Sequence, residues 1–212
     1  MASPINRHSS PGGASSLEPW VSTQGSLPPN TAHLGNLAIL QSRNLALFCS
    51  TTCPGRLILQ TYDLVRALRD AGRVVIGGFH TPMEREALDL LLRGAQPLIV
   101  CPARSIDGMR LPPAWKEPLA DGRLLLLSPF PPHQRRVTRD LAAARNTFVA
   151  SLADAVLVPH AAPDSGTDHL ARRLLASHKP LFTLDAPENA HLVAAGATPM
   201  TRQDIDEMSN MF

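Results

Sequence analysis

Several short stretches of this chain have the residue types and spacing to do chemistry. Cys49-Ser50-Thr51-Thr52-Cys53-Pro54-Gly55 sets three hydroxyls between two thiols, immediately before a segment of helical period. In Gly77-Gly78-Phe79-His80-Thr81-Pro82 the glycine pair either lets backbone approach a ligand closely or makes a tight strand-to-helix turn that needs positive φ. Arg145-Asn146 joins a guanidinium to an amide. Asp164-Ser165-Gly166-Thr167 stands where a helix should begin, so the Gly166 and Thr167 N–H groups can bind an anion. The alternative there is N-capping by Asp164 or Ser165, and both can hold together. The expected ligand site is therefore Ser50, Thr51, Gly77, Gly78, Arg145, Asn146, Ser165, Gly166 and Thr167.

Cys49, Cys53, His80, Cys101 and His160 are soft ligands in loops of the same kind, which opens a zinc site or a reactive thiol as an alternative. No metal is assigned, because the two close cysteines lack a second close pair and cysteine is often a small buried hydrophobe. No set of nucleophile, base and orienting group is recognisable. Glu84 and Glu86 follow the glycine loop without an identifiable partner, so a binding protein is expected rather than an enzyme. No cofactor is expected either, since neither G-x-G-x-x-G nor G-x-x-x-x-G-K occurs.

The elements that must position these residues alternate between short apolar runs and longer segments of helical period, the pattern of parallel strands with crossover helices. Strands are expected at 45–49, 74–76, 97–101, 124–127, 155–158 and 181–184. Four consecutive leucines, Leu124 to Leu127, cannot alternate in and out of water, so that strand should be buried on both faces. Helices are expected at 54–71 (stripe Leu57, Thr61, Leu64, Val65, Leu68), at 82–93, and at 134–152 with Val137, Leu141, Phe148 and Leu152 inward. Shorter ones fit 167–177 and 187–195. The fold class is thus α/β, a Rossmann-like, doubly wound, mostly parallel sheet with helices on both faces, and in such a sheet ligands bind beyond the carboxyl ends of the strands.

Residues 1–33, rich in Pro, Gly and Ser, read as a disordered leader; 34–200 form one domain; 201–212 form a tail. A formal net charge of +2 gives a weak overall field, so attraction for nucleic acid would need a local patch. Arg135, Arg136, Arg139 and Arg145 lie on or beside the third helix and read as a solvated face, with a phosphate-binding role depending on Arg145 and Asn146 reaching the ligand cleft. Three cysteines without an apolar leader read as reduced thiols, and no run suffices to span a bilayer, which makes a soluble, cytoplasmic protein the expectation.

The order of the motifs resembles that of the DNA-processing protein A (DprA/Smf) family from Gly35 to Pro199. Gly35-Asn36-Leu37-Ala38-Ile39-Leu40 resembles its G-N-x-x-L-L lead-in, and Gly77-Gly78-Phe79 its S-G-x-A segment. Arg145-Asn146-Thr147-Phe148-Val149-Ala150-Ser151-Leu152 with Ala153-Asp154-Ala155-Val156-Leu157-Val158 resembles its R-N helix and following strand, the most specific match. Ser165-Gly166-Thr167 and Gly196-Ala197 resemble later motifs. The resemblance implies a Rossmann-like domain that binds single-stranded DNA or nucleotide at the strand ends, with a recombinase partner in DNA processing and recombination and a homodimer as further implications. Cys49-Ser50-Thr51 stands where the family has G-S-R, and 82–88 departs from its G-I-D-x-x-A-H. A related group of phosphoribohydrolases carries P-G-G-x-G-T-x-x-E, which would make the protein a nucleotide-processing enzyme. Leu170 occupies the position of that glutamate here.

Overall fold

The computed structural model describes residues 6–7, 27–201 and 203–204. The expected tail beyond Asp204 and most of the expected leader lie outside the described residues. The backbone of Asn6–Arg7 (β1) pairs antiparallel with Ala32–Gly35 (β2), so the boundary expected between 33 and 34 falls inside a strand.

The remaining strands are β3 (Asn44–Leu47), β4 (Val74–Gly77), β5 (Leu98–Val100), β6 (Leu124–Ser128), β7 (Ala155–Val158), β8 (Leu181–Leu184) and β9 (Thr198–Met200). Among the described residues they form one nine-stranded sheet in the order β1-β2-β6-β5-β4-β3-β7-β8-β9. Pairing is parallel from β6 through β9, and antiparallel between β1 and β2 and between β2 and β6. The six strands expected from sequence are all present. The strand β2 and the edge strand β9 were not expected, because Ala32–Gly35 is too short and half-polar for a period and Thr198–Met200 contains a proline.

The helices are α1 (Gly55–Asp70), α2 (Pro82–Leu92), α3 (Pro113–Ala120), α4 (Arg139–Leu152), α5 (Gly166–Ala176) and α6 (Ala190–Ala194). Two apolar cores sandwich the sheet. One joins Leu57, Leu64 and Leu68 of α1 and Leu88 and Leu91 of α2 to Leu45, Leu47, Val75, Leu98, Leu124 and Leu126. The other joins Phe148 and Val149 of α4, Leu170 of α5 and Leu192 of α6 to Ala46, Ile76, Ile99, Leu125, Leu127 and Val156. Leu124 to Leu127 alternate between the two cores and each is fully buried, the two-sided burial that the unbroken run requires.

Two expectations are corrected. The third expected helix starts at Arg139 with Thr138 as N-cap rather than at Gln134, because the Thr138 hydroxyl accepts the Leu141 N–H at 3.2 Å and ends the preceding loop. Val137 therefore precedes the helix and is exposed, while Arg145, Phe148, Val149 and Ala150 form the buried face. Helix α3, unassigned from sequence, is short and carries Pro118 inside it, which erases the usual helical signal.

Candidate functional site

Chain order leads from β3 outward to β6 and then returns to β7 on the other side of β3. The carboxyl ends of β3 and β7 are thus the topological switch point of the sheet, the place at which open α/β sheets generally bind ligands in a crevice. The loop after β3 carries Cys49 to Pro54, and the loop after β7 carries Pro159 to Ser165. They are stitched together: the Ser50 N–H donates to the His160 carbonyl at 3.0 Å, and the Ser50 hydroxyl accepts the Ala162 N–H at 2.9 Å and lies 3.0 Å from the Ser165 hydroxyl. Ser50 is buried and its hydroxyl is occupied in this stitching, whereas Thr51 and Thr52 beside it are exposed.

Ser165 is the N-cap of α5, its hydroxyl accepting the Asp168 N–H at 3.1 Å. Asp164 instead takes a positive φ of 58° and donates its N–H to the buried Asp168 carboxylate at 3.2 Å. That carboxylate is also held by Arg172. These bonds leave Gly166 exposed and Thr167 half-buried at the mouth of the helix. Helix α1 differs from its neighbours at this edge. Its N-cap is Pro54, which makes no side-chain hydrogen bond, so the first N–H groups of a 16-residue helix are uncapped beside Thr51 and Thr52. The α2 start is closed by a capping box between Thr81 and Glu84.

A second layer lies behind the β4 and β5 ends. Arg145 of α4 is 3% exposed, and its Nη1 donates to the Cys101 carbonyl at 3.0 Å while Nε donates to the Asn146 side chain at 2.7 Å. Gly78 lies against this guanidinium: a Cβ built there would fall 1.3 Å from Arg145 Nη1. The glycine is therefore required by an internal side chain, a reason distinct from both a tight turn and ligand approach. At Gly77 the constraint is the Phe79 ring, which folds back to within 3.0 Å of a built Cβ through a positive φ of 49° at Phe79. Burial, opposed by the Glu84 charge and the Cys101 side chain, leaves the Arg145 pKa below the ordinary arginine value.

Glu84 is the residue that sequence reasoning left without a role. Its carboxylate is buried and accepts the Cys49 N–H at 2.9 Å, the His80 N–H at 2.8 Å and the Thr81 N–H at 3.3 Å. It thereby ties the β3 loop to the β4 loop and faces Arg145. Its signal was present in Thr81-x-x-Glu84, a capping-box spacing ahead of an apolar run. Asn189 plays the corresponding part near β8, bonding His160 Nδ1 at 3.0 Å and donating to the Pro159 and Leu184 carbonyls.

The nine residues expected around a ligand thus fall into two adjoining groups, Ser50, Thr51, Ser165, Gly166 and Thr167 at the switch point, and Gly77, Gly78, Arg145 and Asn146 beside it. The soft ligands are not gathered in the same way. Among the described residues no three His, Cys, Asp or Glu side chains are grouped to hold a metal ion, and Cys101 is sealed in the core with its thiol pKa pushed up to about 12 by burial. Further along the same sheet edge, the loop after β6 leads into α4 with Arg135, Arg136 and Arg139 exposed, and His133, Arg135 and Arg136 line an open groove of about 500 Å³. No helix among the described residues is long and apolar enough to cross a membrane.

A Rossmann-like α/β domain with hydroxyl- and glycine-bearing loops at its switch point is the class that this fold and site define. The chain belongs to the DNA recombination-mediator protein A family, whose model matches residues 20–210. Among solved structures it is similar to DNA processing protein A from Helicobacter pylori, described for its single-stranded DNA binding mode. The TM-score is 0.74 with 22% identity, covering 93% of this chain and 95% of that one. It is also similar to DNA processing protein A from Streptococcus pneumoniae, at TM-score 0.71 and 22% identity over 85% of this chain; the match spans 66% of that longer protein. The molybdenum cofactor binding protein of Rippkaea orientalis shares the fold more distantly, with a TM-score of 0.56 and 15% identity over 80% of this chain and 96% of that one. No curated protein matches the sequence.

Proposed function

We propose that the chain binds single-stranded DNA through the strand-end crevice, with the α1 and α5 N-termini receiving phosphate and Ser50, Thr51, Gly77, Gly78, Arg145, Asn146, Ser165, Gly166 and Thr167 forming or supporting the site. The observation that carries this reading is the uncapped start of α1 at the switch point, next to the exposed Gly166 and half-buried Thr167 of α5. Two helix N-termini on one crevice offer paired N–H donors and positive dipole ends to successive phosphates. Family membership and the similarity to the H. pylori protein support the choice of ligand. In this reading Arg145 and Glu84 shape the backbone that meets DNA, and Arg135, Arg136 and Arg139 extend the charged path. The role in DNA processing and recombination, with a recombinase partner or a second copy of the chain, is the wider proposal that the family suggests.

A nucleotide-processing enzyme has less support. Leu170, at the position of the hydrolases' glutamate, is buried in the core, and the nearby Asp168 carboxylate is already held by the Asp164 N–H and Arg172.

Gly166→Asp tests the DNA reading. A Cβ at Gly166 meets nothing within 4 Å, so the change is sterically free. A carboxylate in the first turn favours the helix by about 0.3–1 kcal/mol but repels a phosphate. The expected result is an unchanged or slightly raised melting temperature with single-strand affinity reduced about tenfold, about 1.4 kcal/mol, within the range for like charges near a protein surface. Undiminished affinity would remove the α5 N-terminus from the site.

A further inference from the structure

The crevice proposed for DNA lies at the carboxyl ends of the strands and leaves unused a second cavity at the amino ends of β3, β7 and β8. This cavity has a volume of about 320 Å³ and is lined by Leu27, by 40–44 ahead of β3, by 151–154 between α4 and β7, and by Lys179 ahead of β8. Its walls are tied together. Asn44 Nδ2 donates to the Ser42 and Leu152 carbonyls, both at 3.4 Å. The Asn44 N–H donates to the Asp154 carboxylate at 2.7 Å, and the Asp154 N–H returns a bond to the Asn44 carbonyl at 3.0 Å. The cavity is therefore built into the entry of two central strands.

The lining divides by chemistry. Leu27, Leu40 and Leu152 pack on the core beneath α4 and are half-buried, which gives the cavity an apolar side. Arg43 and Lys179 bring two positive charges, and neither is ion-paired among the described residues. Lys179 is anchored at its root: His178, at a positive φ of 59°, closes α5, and the Lys179 N–H donates to the Leu174 carbonyl at 3.0 Å. Burial holds the Lys179 pKa below the ordinary lysine value against the Asp154 charge, so an anion in the cavity would favour its charged form. Two acceptors complete the lining. Asp154 uses Oδ2 on the Asn44 N–H and keeps Oδ1. Asn44 is 6% exposed, and its Oδ1 is a buried acceptor without a hydrogen-bond partner among the described residues.

We propose that this cavity binds a ribonucleoside monophosphate, with the base against the leucines, the ribose hydroxyls donating to Asp154, and the phosphate held by Arg43 and Lys179. A guanidinium meets two phosphate oxygens at once and an ammonium adds a compact charge beside it. The free acceptors call for hydroxyl or amino donors in the same molecule, which an aliphatic acid or a lipid tail lacks. The volume falls at the lower end of small-molecule sites, about 300–1,000 Å³, and suits one nucleotide rather than a run of them. Strands β3 and β7 separate the two sites: Asn44 and Ala155 begin them on the cavity side, and Leu47 and Val158 end them on the crevice side. The proposal does not rest on the single-stranded DNA reading.

The test is isothermal titration of the full chain with the four ribonucleoside monophosphates, with their deoxy forms and inorganic phosphate alongside. The expected result is saturable binding of at least one ribonucleoside monophosphate, with its deoxy form and phosphate weaker. Arg43→Ala and Lys179→Gln should each reduce that affinity about tenfold or more, the loss of one hydrogen bond between charged groups. Gly166→Asp, in the crevice, should leave it unchanged, and thermal melts check that all three variants are folded. Absence of binding by all four nucleotides would overturn the proposal. Binding lost in Gly166→Asp but kept in both cavity variants would place the nucleotide in the crevice and overturn it equally. Phosphate or the deoxy form binding as tightly as the ribonucleotide would refute the contacts assigned to the base and to Asp154. Nucleotide binding without single-stranded DNA binding would remove the DNA reading alone.

Discussion

Removing the Glu84 carboxylate should damage both the stability and the shape of the crevice. The side chain is buried and receives N–H groups from Cys49, His80 and Thr81, two of them on the β4 loop and one at the end of β3. Each bond to a charged acceptor contributes about 1.5–3 kcal/mol, and the contributions are not additive because one group makes all three. Glu84→Ala also removes a negative charge that acts on the buried Arg145 guanidinium without direct ion-pair contact, so part of what offsets that burial is lost. The expected loss for Glu84→Ala is therefore about 3–5 kcal/mol, with Glu84→Gln nearer 2 because one oxygen still accepts. Equilibrium unfolding in urea measures both. A double-mutant cycle with Arg145→Met adds the discriminating number, since removing both charges should cost at least about 1 kcal/mol less than the sum of the single changes. A loss below about 1 kcal/mol for Glu84→Ala, or strict additivity with Arg145→Met, would refute the view that these two groups are the brace of the site.

Further outcomes follow from the same geometry. Gly78→Ala must displace the Arg145 guanidinium and should cost about 1–3 kcal/mol by overpacking. Gly55→Ala, whose Cβ meets nothing within 4 Å, should be neutral or stabilising; equal effects in thermal melts would contradict the packing reason given for Gly78. The Arg56–Glu188 pair fastens the first turn of α1 to the segment after β8, and Arg56 holds the Glu188 carboxyl down at about 2. Because the folded pKa is depressed, the stability from this pair is present above the unfolded carboxylate range near pH 4 and is lost as pH falls toward about 2. Acid titration of Arg56→Ala should show a weaker dependence than wild type in that window, and identical curves would show the pair to be inert.

The sheet was legible in the sequence because apolar runs buried on both faces leave no ambiguity of period, as Leu124 to Leu127 show. Helix α1 was legible from its stripe, Leu57 to Leu68, and from Pro54 and Gly72 at its ends. The short elements were not: Pro118 inside α3 hides a helix that tertiary packing stabilises, and Val137 mimicked the buried stripe of a helix that Thr138 had not yet begun. At the site, loop membership could be read because loops after strands are fixed by topology. The internal role of Gly78 could not, since its cause is a side chain 67 positions away that enters from another helix. Glu84 was visible as a cap but its reach to Cys49, across 35 positions, depends on β3 and β4 being neighbours.

The central claim is that the strand-end crevice binds single-stranded DNA through its phosphates. It is tested most directly by fluorescence-anisotropy titration of a labelled single-stranded oligonucleotide, and of the matching duplex, at low and moderate salt. The account predicts tighter binding of the single strand and a linear fall of log affinity with log salt, as counterion release requires. Absence of binding at low salt, or equal affinity for single strand and duplex, would contradict it.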